Sequence, residues 1–407
     1  MDRHFSKIST NIEEIRRWCN SRISGKLLYL SADIRNARFK LAPVDVNIFP
    51  AGFHLLNKES QTLATRLICE RYTGKTILLI IETHTRNTHY LSNVHTLKKL
   101  FEDAKNTVIL GNPSDQKIEN IDTETFHIKD KRIITESGVI PDLIVLNNDM
   151  ISLDPSVLLE VSQPCLPSPL LGWWKRTKTQ YFPYYEKTVE EFANTFELDP
   201  WLFYAYSEAC DNINFDTQES LARLADVVDG IIEKLQKNYK QYGISSKPFV
   251  FIKANSGSYG MGILTASSGK EILFMNRKER KKLGTTKGNT AITSVIVQEG
   301  IETKEYYLNY PAESLMYSVL GKKIAFATRY NTKHDARQNL NSSGMHFIGH
   351  TPAKASEAQL EIVSDLIIIA AEKEAQAVDD KNVAAPPNQA ISDEINQLNA
   401  ERITDRY

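Results

Sequence analysis

Phe249-Val-Phe-Ile-Lys253-Ala-Asn-Ser256-Gly257-Ser258-Tyr259-Gly260-Met261-Gly262-Ile-Leu-Thr265 is the stretch on which the fold turns. An apolar, β-prone run ends in a lysine. A glycine-rich loop follows, and Gly262-Ile-Leu-Thr265 reads as a second strand. Glycine lacks Cβ, so such a loop brings backbone N–H groups close enough to cradle an anion. No Gly-Lys-Ser/Thr opens a helix here, which excludes the P-loop pattern, and the extended run after the glycines excludes the dinucleotide fingerprint. A glycine-rich hairpin lying over phosphates fits. A surface hairpin without a ligand is the plainer alternative, and Lys253 with the residues downstream counts against it.

Working outward towards the C-terminus, Arg277-Lys-Glu-Arg-Lys-Lys-Leu283 reads as a solvated helical turn. A strand over 291–297 finishes in Gln298-Glu299-Gly300-Ile301. Residues 313–320 and 323–331 predict an antiparallel pair joined at Leu320-Gly-Lys-Lys323, with Arg329 and Asn331 on one face by strand alternation. A closing helix is expected over 356–376. Beyond it Ala384-Ala-Pro-Pro387 is linker-like, and a charged helix near 390–402 is expected to be peripheral or disordered.

Towards the N-terminus, helices are expected near 217–241, with Leu221, Leu224, Val227, Val228 and Ile231 along one face, and near 185–196. Gly172-Trp-Trp-Lys-Arg-Thr-Lys-Thr-Gln-Tyr-Phe182 interleaves cations and rings, but it is too short and isolated for a nucleic-acid patch. Gln163-Pro-Cys-Leu-Pro-Ser-Pro169 marks a boundary. Before it, an opening helix over 6–23 leads to a strand at 27–30 and then to Ser31–Phe53. That stretch mixes Asp33, Arg35, Lys40, Asp45 and Asn47 with aromatics and prolines. It is expected to be an ordered polar loop that holds a ligand, or else one whose charges satisfy each other. A helix over 58–72, a strand over 76–82 ending in Glu82 and followed by Arg86, a helix over 91–103, and strands at 107–110 and 143–146 continue the alternation. The last strand ends in Asn147-Asn148-Asp149. Apolar runs with polar ends predict buried parallel strands that deliver groups to one crevice.

The 407 residues leave room for two or three domains and a sizeable core. Hydrophobic and charged fractions of 42% and 24% are those of a soluble globular protein, and a net charge of -1 gives no footprint for nucleic acid or an anionic membrane. No stretch has the ~18 apolar residues of a membrane span, and the opening Met-Asp-Arg-His-Phe-Ser-Lys carries no apolar signal segment, so a cytoplasmic location is expected. Cys19, Cys69, Cys165 and Cys210 are widely spaced and read as buried or free thiols.

In order, the second half offers Lys253, the glycine loop, Gln298-Glu299, Glu313, Arg329 and Asn339-Leu-Asn341. That order resembles the ATP-grasp superfamily of carboxylate–amine ligases. Several segments narrow the resemblance: Asp33-Ile-Arg-Asn with Phe39-Lys-Leu-Ala-Pro-Val-Asp-Val-Asn-Ile-Phe-Pro, Glu82-Thr-His-Thr-Arg-Asn-Thr, Asn147-Asn-Asp, Gly257-Ser-Tyr-Gly-Met-Gly, and Asn339-Leu-Asn-Ser-Ser-Gly-Met-His-Phe. Together they are similar to the proteobacterial ATP-grasp-type glutamate–cysteine ligases, nearly to residue 372.

The resemblance implies an α/β (α+β) fold with an N-terminal substrate-binding domain over 1–165, an ATP-grasp domain over 166–375 and a tail over 376–407. It implies ATP and Mg²⁺ as cofactors, glutamate and cysteine as substrates, and no nucleic-acid or membrane partner; self-association stays open. Catalytic roles fall to Arg329 and Lys253. ATP is met by Lys253, by Ser256, Gly257, Ser258, Tyr259, Gly260, Met261 and Gly262, by Gln298 and Glu299, and by an early lysine, Lys178 ahead of Lys175. The usual Glu-x-Asn metal motif is absent, so Mg²⁺ falls to Asn339, Asn341 and the carboxylate of Glu313. Arg35, Lys40 and Arg86 suit a substrate carboxylate and Asp33, Asp45 and Glu82 its ammonium, with Asn47 and Asn148 nearby. An amide ligase with another acid and amine, or a nucleotide-binding regulator with weak chemistry, are the alternatives.

Overall fold

Short β-prone runs from both ends of the chain pair with one another. The computed structural model describes residues 7–384 except 9, 83–87, 115–117, 119–120, 151–155, 258–262, 285–291 and 350–356. Arg86, the glycine-loop residues Ser258 to Gly262 and the charged segment near 390–402 therefore lie outside the described residues.

The chain opens with helix α1 (Ile12–Asn20) and strands β1 (Tyr29–Asn36) and β2 (Leu41–Asn47). Helix α2 (Lys58–Arg71), β3 (Thr76–Ile81), α3 (Thr88–Asp103) and β4 (Thr107–Gly111) follow. Next come β5 (Phe126–Lys129), β6 (Arg132–Thr135), β7 (Leu143–Asn147) and β8 (Cys165–Leu166). The second half holds α4 (Lys178–Phe196), β9 (Ser207–Cys210), α5 (Gln218–Tyr242), β10 (Val250–Ala254), β11 (Leu264–Ala266), α6 (Arg277–Gly284) and β12 (Val295–Glu299). It ends with β13 (Glu305–Tyr307), β14 (Tyr310–Val319), β15 (Lys322–Asn331), β16 (Met345–Ile348) and α7 (Glu357–Ala384).

These elements form a mixed α/β fold around three larger sheets. β4-β3-β7-β8 is parallel, and β3 is apolar from Ile77 to Ile81 and β7 from Leu143 to Leu146 because both faces are covered. β11-β10-β12-β9 is antiparallel, and β10 pairs β11 from Val250↔Ala266 to Ile252↔Leu264, the hairpin expected around the glycine loop. The largest sheet runs β16-β15-β14-β1-β2, with β13 added on β14. Its β14–β15 turn, at Leu320 (φ 49) and Gly321 (φ 74), has the two positive φ angles of a tight hairpin.

Two expectations change. Ser31–Phe53 is largely a β-hairpin, not a loop. Leu30, Ala32 and Ile34 are buried on one face, while Asp33 and Arg35 point to the other, which is also covered. A strand whose second face meets polar partners looks like a loop in composition. The closing helix also runs to Ala384, beyond the expected 376, and Glu374 is buried on it. Among the described residues no helix is long and apolar enough to cross a membrane.

Candidate active site

The β1–β2 hairpin forms one edge of the largest sheet, and its charged residues meet partners far along the chain. Opposite Asp33 the register slips by one residue, from Asp33↔Asp45 to Ile34↔Pro43, which leaves Val44 as a bulge. The carbonyl of Val44 accepts a hydrogen bond from Lys253 Nζ at 3.0 Å, and the same nitrogen donates to Gln298 Oε1 at 2.7 Å. Lys178 Nζ lies 2.7 Å from Asp45 Oδ1 and 4.4 Å from the Trp173 ring centroid. Burial pushes Lys253 down to about 8 although Asp45 opposes the shift. Burial would raise the Asp45 carboxyl, but Lys178 and Lys253 outweigh it and hold the group below its ordinary range.

Local sequence explains how Lys178 reaches this position. Thr177 ends the approach to α4, and Gln180 Oε1 accepts from its N–H at 2.9 Å. Asn255, at the end of β10, accepts from Lys178 N with its carbonyl and from Thr179 N with its side chain. The start of α4 is thus fastened to the strand that carries Lys253. Of the two early lysines considered, Lys178 is the one brought to Lys253.

A second cluster lies on β1, β14 and β15. Arg329 Nη1 donates to Asp33 Oδ2 at 2.5 Å and to Glu313 Oε1 at 2.7 Å. Arg35 Nε donates to Glu313 Oε2 at 2.8 Å, while its Nη1 and Nη2 bond the carbonyls of Ile301 and Gln338. Two guanidinium groups thus bracket one carboxylate. Burial would raise Glu313, but Arg35 and Arg329 outweigh it and hold the carboxyl below the usual glutamate range. With all three of its nitrogens engaged and 2% exposure, Arg35 acts as a strut in this arrangement.

Lys40 and Glu299 also meet each other. Lys40 Nζ is 2.6 Å from Glu299 Oε1 and 4.1 Å from the Trp201 ring centroid, and Glu299 Oε2 accepts from Trp201 Nε1 and Tyr206 N. Both side chains are fully enclosed, so the pair links β12 to the hairpin and neither side chain faces a surface.

At the ends of β3 and β7, Asn148 Nδ2 donates to Ile81 O and Glu82 Oε1 accepts from Asp149 N. Asn47 Oδ1 caps a turn at Phe49 N. Asn339 folds back on Asn341, accepting from its N–H and donating to its carbonyl, as a turn residue does. Of the residues expected to hold Mg²⁺, Glu313 has both oxygens on arginines, a setting suited to a neutralised ion network rather than to a cation. Among the described residues no three His, Cys, Asp or Glu side chains are grouped to hold a metal ion.

Charge and donors do suit an anion. Gln298 Nε2 and Arg329 Nε are buried without partners, one beside Lys253 and the other in the Asp33–Glu313 cluster. Orphaned buried donors are uncommon and call for an acceptor. Trp173, Asn255 and the buried amide Asn93, which accepts from Gly52 N and Phe53 N, escaped the sequence reading. Asn255 and Trp173 had a signal, the one lying inside the stretch around Lys253 and the other inside the run of cations and rings from Gly172 to Phe182.

The glutamate–cysteine ligase family profile matches residues 6–365, which makes the protein a ligase enzyme. The chain belongs to the glutamate–cysteine ligase family. It is similar to the crystal structure of a candidate gamma-glutamylcysteine synthetase from Methylobacillus flagellatus KT, with 30% identity over 91% of this chain and 95% of that one and a TM-score of 0.81. D-alanyl-alanine synthetase A from Vibrio cholerae aligns with 12% identity over 74% of this chain and 81% of its own, with a TM-score of 0.37. A glutathione synthetase-like effector from Globodera pallida aligns with 11% identity over 84% and 78%, also with a TM-score of 0.37. No curated protein matches.

Proposed function

We propose that the protein uses ATP to join the γ-carboxylate of L-glutamate to the amine of L-cysteine, on an ATP-grasp arrangement of its second half. Family membership supports the substrates. The observation that carries the nucleotide reading is the meeting of Lys178, Lys253 and the unpartnered amide of Gln298, with Arg329 in the neighbouring cluster. In the proposed division, residues 1–165 hold the amino acids and 166–375 the nucleotide, with the β1–β2 hairpin shared between them.

The chemistry follows in two steps. A γ-carboxylate oxygen of glutamate forms a bond to the terminal phosphorus of ATP as the bond to ADP breaks, giving an acyl phosphate. The neutral cysteine amine then attacks the acyl carbon, the C–O bond to phosphate breaks as the amide forms, and the proton released from nitrogen leaves with the phosphate. Lys178 and Lys253 position the phosphate chain, and Arg329 offsets charge on the transferred group. Burial keeps water from the hydrolysable acyl phosphate. Mg²⁺ is expected to arrive on phosphate oxygens of the nucleotide and to lower their charge.

Purified protein with ATP, Mg²⁺ and glutamate, scored for phosphate release with and without cysteine, tests this reading. Phosphate formed at a much higher rate with both amino acids, together with γ-glutamylcysteine, is the expected result. Turnover with a different acid or amine only would overturn the substrates. Nucleotide binding with no turnover on any pair would overturn the enzyme reading in favour of a regulator.

A further inference from the structure

We propose that Asp45 is a positioning residue for the nucleotide, fixing Lys178 and keeping Lys253 cationic, and does not bind an amino-acid ammonium. The proposal rests on the reading that a phosphate chain binds between these lysines.

Four observations lead there. Asp45 lies beside the Val44 bulge, so a single turn of backbone presents a carbonyl to Lys253 and a carboxylate to Lys178. Lys178 is held from three sides: by Asp45, by the Trp173 ring and, through its backbone, by Asn255. The two ammonium groups sit in one buried neighbourhood, where burial first, and the charge of Lys178 after it, push Lys253 down. The unpartnered Gln298 Nε2 adds a donor beside Lys253, aligned with an anionic ligand and not with an ammonium.

The surrounding charges leave Asp45 the main counter-ion. Lys253 feels Asp45 and Asp33 on one side and Lys178 and Arg35 on the other. Asp33, however, is bonded to Arg329. Asp45 feels Lys178, Lys253 and Arg176, and Arg176 is itself paired with Glu374 through two bonds of 2.9 and 3.0 Å. Without the Asp45 charge, Lys253, already pushed down to about 8 by burial, loses its second-largest influence and titrates lower still.

The test is Asp45→Asn, an isosteric change, with Asp45→Glu as the conservative control and Asp45→Ser should the first fail to fold. Titration of lysine ¹³Cε resonances in the ligand-free full chain, assigned with Lys253→Arg, reads the charge directly. A fluorescent ATP analogue with Mg²⁺ reads affinity from pH 6.5 to 8.5. In Asp45→Asn the Lys253 midpoint should fall by about one pH unit or more. Nucleotide should bind about fivefold or more weakly at pH 8 and recover most of the loss at pH 6.5, with Asp45→Glu close to wild type. A Lys253 midpoint equal to wild type, or a weakening independent of pH, overturns the proposal while leaving the ligase reading in place. Wild-type protein that binds no nucleotide at any pH overturns the ligase reading and this proposal together.

Discussion

Removing the Glu313 carboxylate should destabilise the fold sharply, because it is the shared partner of two buried arginines. Glu313→Ala leaves Arg35 and Arg329 with Asp33 as the one carboxylate still bonded to them among the described residues, where two cations had met two anions. Arg35 and Glu313 side chains are 3% exposed and Arg329 is 8%, so water does not replace the lost partner. Breaking a buried pair on one side typically costs about 3–5 kcal/mol. At roughly 1.2 °C per kcal/mol for 407 residues, the melting temperature should drop by about 4–6 °C. Glu313→Gln keeps the shape and one acceptor and should fall between.

The pH dependence has a definite sign. Because the arginines hold the Glu313 carboxyl below its unfolded value, its contribution is fully present above ~4.3, the unfolded carboxylate value, and disappears as pH falls through the lower folded value. Thermal melts by circular dichroism at pH 7 and at steps down to pH 3 measure this. The gap between wild type and Glu313→Ala should be large at pH 7 and should close at the acid end. A gap under 2 °C at pH 7, or one unchanged down to pH 3, would refute the account of Glu313 as a strut between two arginines.

Arg329→Ala should reduce ligase turnover by two or more orders of magnitude, about 3 kcal/mol of transition-state stabilisation; steady-state rates with saturating substrates check it, and a loss below tenfold counts against the assigned role. Asp365 on α7, pushed up to about 6 mainly by burial, holds its proton more tightly folded than unfolded, so its contribution is fully present below ~3.9, the unfolded aspartate value, is lost as pH rises to about 6, and stays lost above. Asp365→Asn should therefore melt higher than wild type at pH 8 and within a degree of it at pH 3; the reverse order would contradict this.

What the sequence revealed divides by distance along the chain. The β10–β11 hairpin and the β14–β15 hairpin with its Leu320–Gly321 turn were legible because their partners follow closely in the chain, and β3 and β7 because each is a run of apolar residues, although they pair across 66 positions. Lys253 and Lys178 could be singled out by type and order. Their environment could not: Lys40 and Glu299 are 259 positions apart, and composition alone does not tell which distant charge each will meet. For the same reason Arg35, read as a substrate contact, proves to be a buried strut, and Ser31–Phe53 was mistaken for a loop. Its charges face inward, where a sequence pattern expects apolar side chains.

The pairing of β1 with β14 also sets a schedule for synthesis. Asp33 and Arg329, which bond in the finished protein, are 296 positions apart. At about 5–20 residues per second, the ribosome leaves the first strands without their partner for roughly 15–60 s. During that interval β1 and β2 form an unfinished edge, the kind of surface that pairs with other chains. The alternation of Asp33, Arg35, Lys40 and Asp45 with apolar residues then has a second use, since charged edge strands resist such pairing. The charges that are held in ion pairs in the finished fold thereby guard the waiting hairpin until its partner strand is made.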